Sequence, residues 1–202
     1  MAQFPFAHTI EMTYRLAAGV LEVNLRLHNL GSEPMPVSIG FHPYYRLTDS
    51  PREDWTIGIG ARKQWLLNSD KIPTGETVPI KQLFPDPNRI ALKDYDLDHV
   101  FSDLVRDRDG RALMRVKGKS QQLEVLFGPK YNTVVVFSPQ PREAPKGGPA
   151  GASPSPNFVC FEPMAGITDA MNLAHRGLYH ELQMLAPGQV WQESFWIRPS
   201  GF

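Results

Sequence analysis

Three side chains stand where a strand-rich chain would rather have none. Glu162 follows the apolar run Phe158-Val159-Cys160-Phe161 and is pinned by Pro163. Burying a carboxylate unpaired is expensive, so this position calls for a cation or a pocket. Partial burial would also raise its basicity toward neutral pH, the range of a proton-abstracting base. His42, in Phe41-His42-Pro43-Tyr44-Tyr45, follows the apolar run 37–40. Proline stiffens its backbone, and the flanking rings have the size to suit a sugar. A core histidine satisfied by a backbone carbonyl accounts for His42 equally well. Asp98, in Asp98-His99-Val100-Phe101, reads on its own as a turn former.

Other chemical signatures fail on spacing. His180-Glu181-Leu182-Gln183-Met184 opens like a zinc-protease helix, but methionine stands where the second ligand is needed. Asp94, Asp96 and Asp98 alternate as in a calcium loop, yet His99 replaces the required glycine and Val105 the bidentate glutamate. Cys160 sits in an apolar strand, where an inert structural thiol is the better reading. With no glycine-rich phosphate loop either, no metal or cofactor is expected.

The elements that must position these groups have a period of two. Ile10, Met12, Tyr14 and Leu16 alternate with polar residues, and after Ala17-Ala18-Gly19 the alternation resumes at Leu21, Val23, Leu25 and Leu27. This predicts an antiparallel hairpin. Further strands are expected at 35–39, 55–59, 113–116, 123–127, 133–137, 158–161, 178–185 and 190–197, separated by turn formers. Runs 134–137 and 158–161 are apolar on both faces, as central strands packed between layers would be, and they should be neighbours in one sheet. One short helix is expected at 167–174, capped by Thr168 or Asp169. The Pro- and Gly-rich segment 139–156 predicts an exposed, mobile loop, and 72–88 an ordered surface excursion. The fold class is therefore all-β, one domain over residues 1–202.

Composition narrows the partners. The 202 residues carry 21 Lys+Arg against 21 Asp+Glu, for a formal net charge of zero. That is not the footprint of a nucleic-acid binder or a polybasic membrane patch. No apolar stretch reaches membrane-spanning length, and the start lacks the pattern of a secretory signal. A single cysteine permits no internal disulfide. The expected compartment is the cytoplasm.

Four blocks taken in order resemble the aldose 1-epimerases (galactose mutarotases). They are Asn29-Leu30-Gly31 through Gly40-Phe41-His42-Pro43-Tyr44-Tyr45-Arg46-Leu47; Leu97-Asp98-His99-Val100-Phe101; Phe158 to Pro163 with Asp169-Ala170-Met171-Asn172; and Leu185-Ala186-Pro187-Gly188. The resemblance implies a large twisted antiparallel β-sandwich with an open sugar cleft and no cofactor. It implies His42 as the acid that protonates the ring oxygen, Glu162 as the base on the anomeric hydroxyl, and Asp98 as a ligand of sugar hydroxyls, with Tyr44 and Tyr45 lining the site. Acid and base are expected to face each other across a gap the size of a hexose. Family members also draw an arginine and a second histidine from an amino-terminal segment that is not visible here, so the chain looks amino-terminally shortened. A homodimer covering the sheet edge thereby exposed is the corresponding expectation. Two alternatives remain: a sugar-binding β-sandwich without catalysis, and a hexose-6-phosphate epimerase using Arg46, Arg52 or Lys130.

Overall fold

A computed structural model describes residues 4–140 and 157–202. Among them are fifteen strands, numbered in chain order, and one short α-helix. Seven strands form one sheet in the order β1 (His8–Ala17), β2 (Val20–Asn29), β15 (Val190–Ser200), β11 (Gln122–Phe127), β10 (Ala112–Lys117), β5 (Thr56–Ile59) and β8 (Ile90–Ala91). Six form the second, in the order β4 (Tyr44–Tyr45), β13 (Val159–Met164), β12 (Thr133–Ser138), β9 (Leu97–Leu104), β6 (Ala61–Leu67) and β7 (Pro73–Pro79). A small ladder pairs β14 (Gln183–Leu185) with β3 (Met35–Val37). The neighbours in both large sheets are antiparallel.

The two large sheets face each other across one core. Val23, Leu25, Ile57, Met114, Val125 and Phe195 from the first meet Leu97, Phe101, Val134, Val136, Val159 and Phe161 from the second. Because side chains alternate across a strand, the partners of these residues on β9, β12 and β13 point to the far face of the six-stranded sheet. A smaller cluster of Trp65, Val100, Ile167, Ala170, Leu173 and Tyr179 covers part of that face, with Val135 packed against it. The helix α1 (Ala170–His175) supplies the lid of this cluster.

Most expected strands are present, and β12 and β13 are antiparallel neighbours as expected. Three departures have physical causes. Segment 97–104 is a central strand, not a turn; its far face carries Asp98 and Ser102, which disguise the alternation. Residues 61–67 and 73–79 pair as a hairpin at the sheet edge, where solvent tolerates polar composition. Residues 178–182 are not a strand, and only Gln183–Leu185 of that run finds a partner. The helix begins at Ala170, with Asp169 in the N-cap position but in the left-handed region (φ 59°) and making no side-chain cap. Residues 141–156, most of the expected mobile loop, lie outside the described residues.

The β1–β2 turn is a two-residue loop with both φ values positive, Ala18 at 49° and Gly19 at 75°, the type I′ arrangement that matches strand twist. Alanine is strained there, whereas asparagine tolerates the conformation. Ala18→Asn is therefore expected to raise stability by about 0.5–1 kcal/mol, read as a shift of the urea midpoint at unchanged slope.

Candidate functional site

The site is built on the face of the six-stranded sheet that turns away from the core. Cross-strand register sets Tyr44 opposite Cys160, Cys160 opposite Phe137, and Phe137 opposite Asp98; Glu162 lies opposite Val135 in the next row. Directly paired residues share a face, so Tyr44, Cys160, Phe137 and Asp98 form one line and Glu162 stands beside it. Tyr45, next to Tyr44, must then point the other way. It does: Tyr45 is buried in the core against Phe161, so the expectation that it lines the site is corrected, because one step along a strand reverses the side chain.

His42 reaches this face from the loop before β4. Phe41 packs into the core against Tyr131 and Phe195, which leaves the next residue to project outward. The loop is held close to β13: the Phe41 amide donates to the Pro163 carbonyl (3.2 Å), and the Ala165 amide to the Ile39 carbonyl (2.8 Å). Gly40 is needed for this approach, since a Cβ there would run into the Met164 sulfur and crowd the Pro163 carbonyl. The His42 ring stacks on Tyr44 with centroids 4.9 Å apart and meets the Phe137 ring edge-on at 5.9 Å. Phe158 packs against Tyr44 and Phe137, completing an aromatic wall.

His42 Nε2 lies 3.1 Å from Glu162 Oε1, with the imidazole half exposed and the carboxylate side chain only 9% exposed. The two residues expected as acid and base are therefore in contact, and the expected gap between them is corrected. The two oxygens that exchange protons in a cyclic hemiacetal are bonded to the same carbon, so adjacent groups reach both from one side. Burial, reinforced by the negative charge of Asp98, pushes the Glu162 carboxyl up to about 7. Asp98 is itself half exposed and lies 3.7 Å from Lys71 Nζ. Lys71 was not anticipated; it sits at φ 63° in a surface turn with no sequence signal. Phe137 and Phe158 join the site although their strands are apolar throughout, a pattern that by itself marks packing between layers.

Among the described residues, His42, Cys160 and Glu162 are the cluster whose potential ligand atoms lie together, within 4.8 Å of one another. Burial pushes the Cys160 thiol up to about 12, so it is protonated at neutral pH and contributes no thiolate. Arg52 is not accessible to a sugar phosphate, which corrects that expectation. It is buried, and its guanidinium donates to Ser138 Oγ and to the carbonyls of Leu92, Tyr95 and Ser138. Its role is to tie the end of β12 to its surroundings. Lys130 lies over the Trp191 ring of the seven-stranded sheet.

Residues 2–198 match the family model described as aldose 1-epimerase. The chain belongs to the aldose 1-epimerase family. Solved structures share the fold at low identity. A galactose mutarotase-like protein from Clostridium acetobutylicum superposes with a TM-score of 0.78 at 20% identity, over 100% of this chain and 58% of that one. The aldose epimerase homologue from C. elegans gives 0.76 at 17%, over 98% and 61%. Galactose 1-epimerase from Lactobacillus acidophilus NCFM gives 0.71 at 14%, over 98% and 59%. The chain thus spans less than two thirds of the length of these relatives.

The elevated Glu162 value has a consequence for this epimerase-family fold. Its folded-state value, about 7, lies above the ordinary 4.5. The group's contribution to stability is therefore fully present below pH 4.5 and is lost as pH rises through about 7. Glu162→Gln is expected to be more stable than the parent at about pH 8 and to converge with it toward about pH 5, measured by urea midpoints at both values.

Proposed function

We propose that the chain interconverts the α and β anomers of a free hexose by general acid/base catalysis, with His42 as acid and Glu162 as base. The observation that carries this reading is the 3.1 Å contact of His42 Nε2 with a carboxyl pushed up to about 7. In the reactive form a doubly protonated His42 imidazolium donates Nε2–H to an ionised Oε1, so that the first step leaves a neutral imidazole and a neutral carboxylic acid.

A hexose entering beside Tyr44 displaces that hydrogen bond. Glu162 takes the proton from O1–H while His42 gives its Nε2 proton to the ring oxygen. The C1–ring-oxygen bond breaks and its electrons go to that oxygen, while O1 and C1 form the carbonyl. Rotation about C1–C2 presents the opposite carbonyl face. The hydroxyl re-adds as His42 recovers its proton and Glu162 returns its own to O1. Asp98 accepts hydrogen bonds from sugar hydroxyls, and its charge helps keep Glu162 basic. The exposed face of Tyr44 offers apolar contact to the C–H side of the ring. Burial of Arg52 inside the protein speaks against the sugar-phosphate reading.

Polarimetry on freshly dissolved α-glucose or α-galactose tests the proposal. Mutarotation is expected to accelerate, and Glu162→Gln or His42→Asn to lower kcat by roughly 10²–10⁴-fold. Activity should rise with pH along a limb centred near 7, as the base ionises. Asp98→Asn should move that limb to lower pH, because it removes the second cause of the elevated value. Sugar binding without acceleration would replace the enzyme reading with that of a binding module.

A further inference from the structure

The loop that joins β6 to β7 holds a lysine in a conformation that lysine seldom adopts. Asn68 builds the loop. Its amide donates to the Ile72 carbonyl (2.9 Å), its carbonyl accepts from the Lys71 amide (3.1 Å), and its side-chain Oδ1 accepts from the amides of Asp70 and Ile72 (3.0 Å each). These bonds close a three-residue hairpin loop whose last residue turns left-handed. That residue is Lys71, at φ 63°, where glycine or asparagine would sit with less strain. Backbone strain of this kind concentrates at functional sites, and what the lysine reaches decides its role.

The register of β6 on β9 runs from Ala61 opposite Leu104 to Gln64 opposite Phe101, so the chain leaves β6 toward the Asp98 end of β9. Lys71 Nζ stands there, 3.7 Å from Asp98 Oδ2, and extends the line of Tyr44, Cys160, Phe137 and Asp98 by a cation. That separation suits an ion pair but is longer than a hydrogen bond, so neither head group spends a hydrogen bond on the other. A carboxylate only accepts and an ammonium only donates, whereas a hydroxyl does both. A hydroxyl oxygen about 2.8 Å from each head gives its proton to Asp98 and accepts a hydrogen bond from Lys71. Glu162 and Asp98 lie two strands apart, about 9–10 Å between backbones, and their side chains narrow that gap to one a pyranose spans.

We propose that Lys71 is a sugar-binding residue which, together with Asp98, grips a hydroxyl on the edge of the hexose far from C1. The inference rests on the reading of this face as a hexose site, but not on catalysis there. It adds a substrate class: aldoses with a free hydroxyl at that edge, as against sugars that are deoxygenated or alkylated in the same place. Loss of the hydroxyl would leave two charged heads without the partner that satisfies both. An anionic substituent would gain Lys71 but meet the like charges of Asp98 and Glu162, so a neutral hydroxyl edge is the better match.

Titration of D-glucose and D-galactose into the protein, followed by amide NMR shifts, gives Kd, and polarimetry gives KM and kcat. Lys71→Met is expected to raise Kd and KM by roughly tenfold or more while kcat stays within about twofold. Lys71→Gly should do the same without lowering the urea midpoint, because glycine relieves the left-handed strain; a purely structural ion pair would leave sugar affinity unmoved. Lys71→Arg, which keeps the charge, should stay within about threefold of the parent. Combined with Asp98→Asn, Lys71→Met should cost less than the product of the two separate losses, since both groups serve one hydroxyl. Among deoxy-D-glucoses lacking one hydroxyl each, one should bind the parent about tenfold more weakly than D-glucose, and Lys71→Met should remove most of that difference. Sugar binding without accelerated mutarotation would end the catalytic reading and leave this one standing. Unchanged Kd and KM in both Lys71→Met and Lys71→Gly would overturn the proposal and leave the catalytic reading intact, and a parent that neither binds nor turns over either sugar would overturn both.

Discussion

The candidate site depends on keeping one carboxylate mostly out of water without neutralising it by a fixed cation. Glu162 is 9% exposed, and among the described residues its ion-pair partner is the His42 imidazole. An arginine in that place would hold the carboxyl ionised and weakly basic. An imidazole instead shares one proton with it, and burial together with Asp98 sets the carboxyl near neutrality. Burial and Asp98 set the carboxyl, and the short contact holds the imidazole against it.

That contact follows from the parity of three strands. β13 sends Phe161 into the core and Glu162 to the far face; β12 divides Val134 and Val136 from Val135 and Phe137; β9 divides Leu97 and Phe101 from Asp98. Core packing on one side therefore fixes the direction of every catalytic candidate on the other. The helix α1 and its cluster dry the part of that face around Trp65 and Val100 but leave Tyr44 and His42 open. His42 is held the same way from a loop: Phe41 anchors inward, and Gly40 lets the chain approach Met164.

The same alternation has the opposite outcome at the other sheet's edge. In β2 the apolar side is buried, whereas in β1 the identical pattern overhangs the core and is exposed. A period of two states which side chains are equivalent. It does not state whether a second layer extends far enough to cover them.

Composition and alternation determined the all-β class, the β1–β2 hairpin, the apolar strands 133–137 and 158–161, and the unusual standing of His42 and Glu162. These are local properties, fixed by the cost of burying polar groups and by the pleat. Tertiary structure alone decided that Asp98 belongs to a central strand rather than a turn, that Tyr44 stays exposed beside His42 while Tyr45 enters the core, and that Arg52 is internal. It also brought His42 within 3.1 Å of Glu162 and Lys71 to Asp98. The reason is physical: a single chain records which faces of its elements are apolar, but register and layer overlap, which set distances between remote side chains, exist only once the sheets have paired.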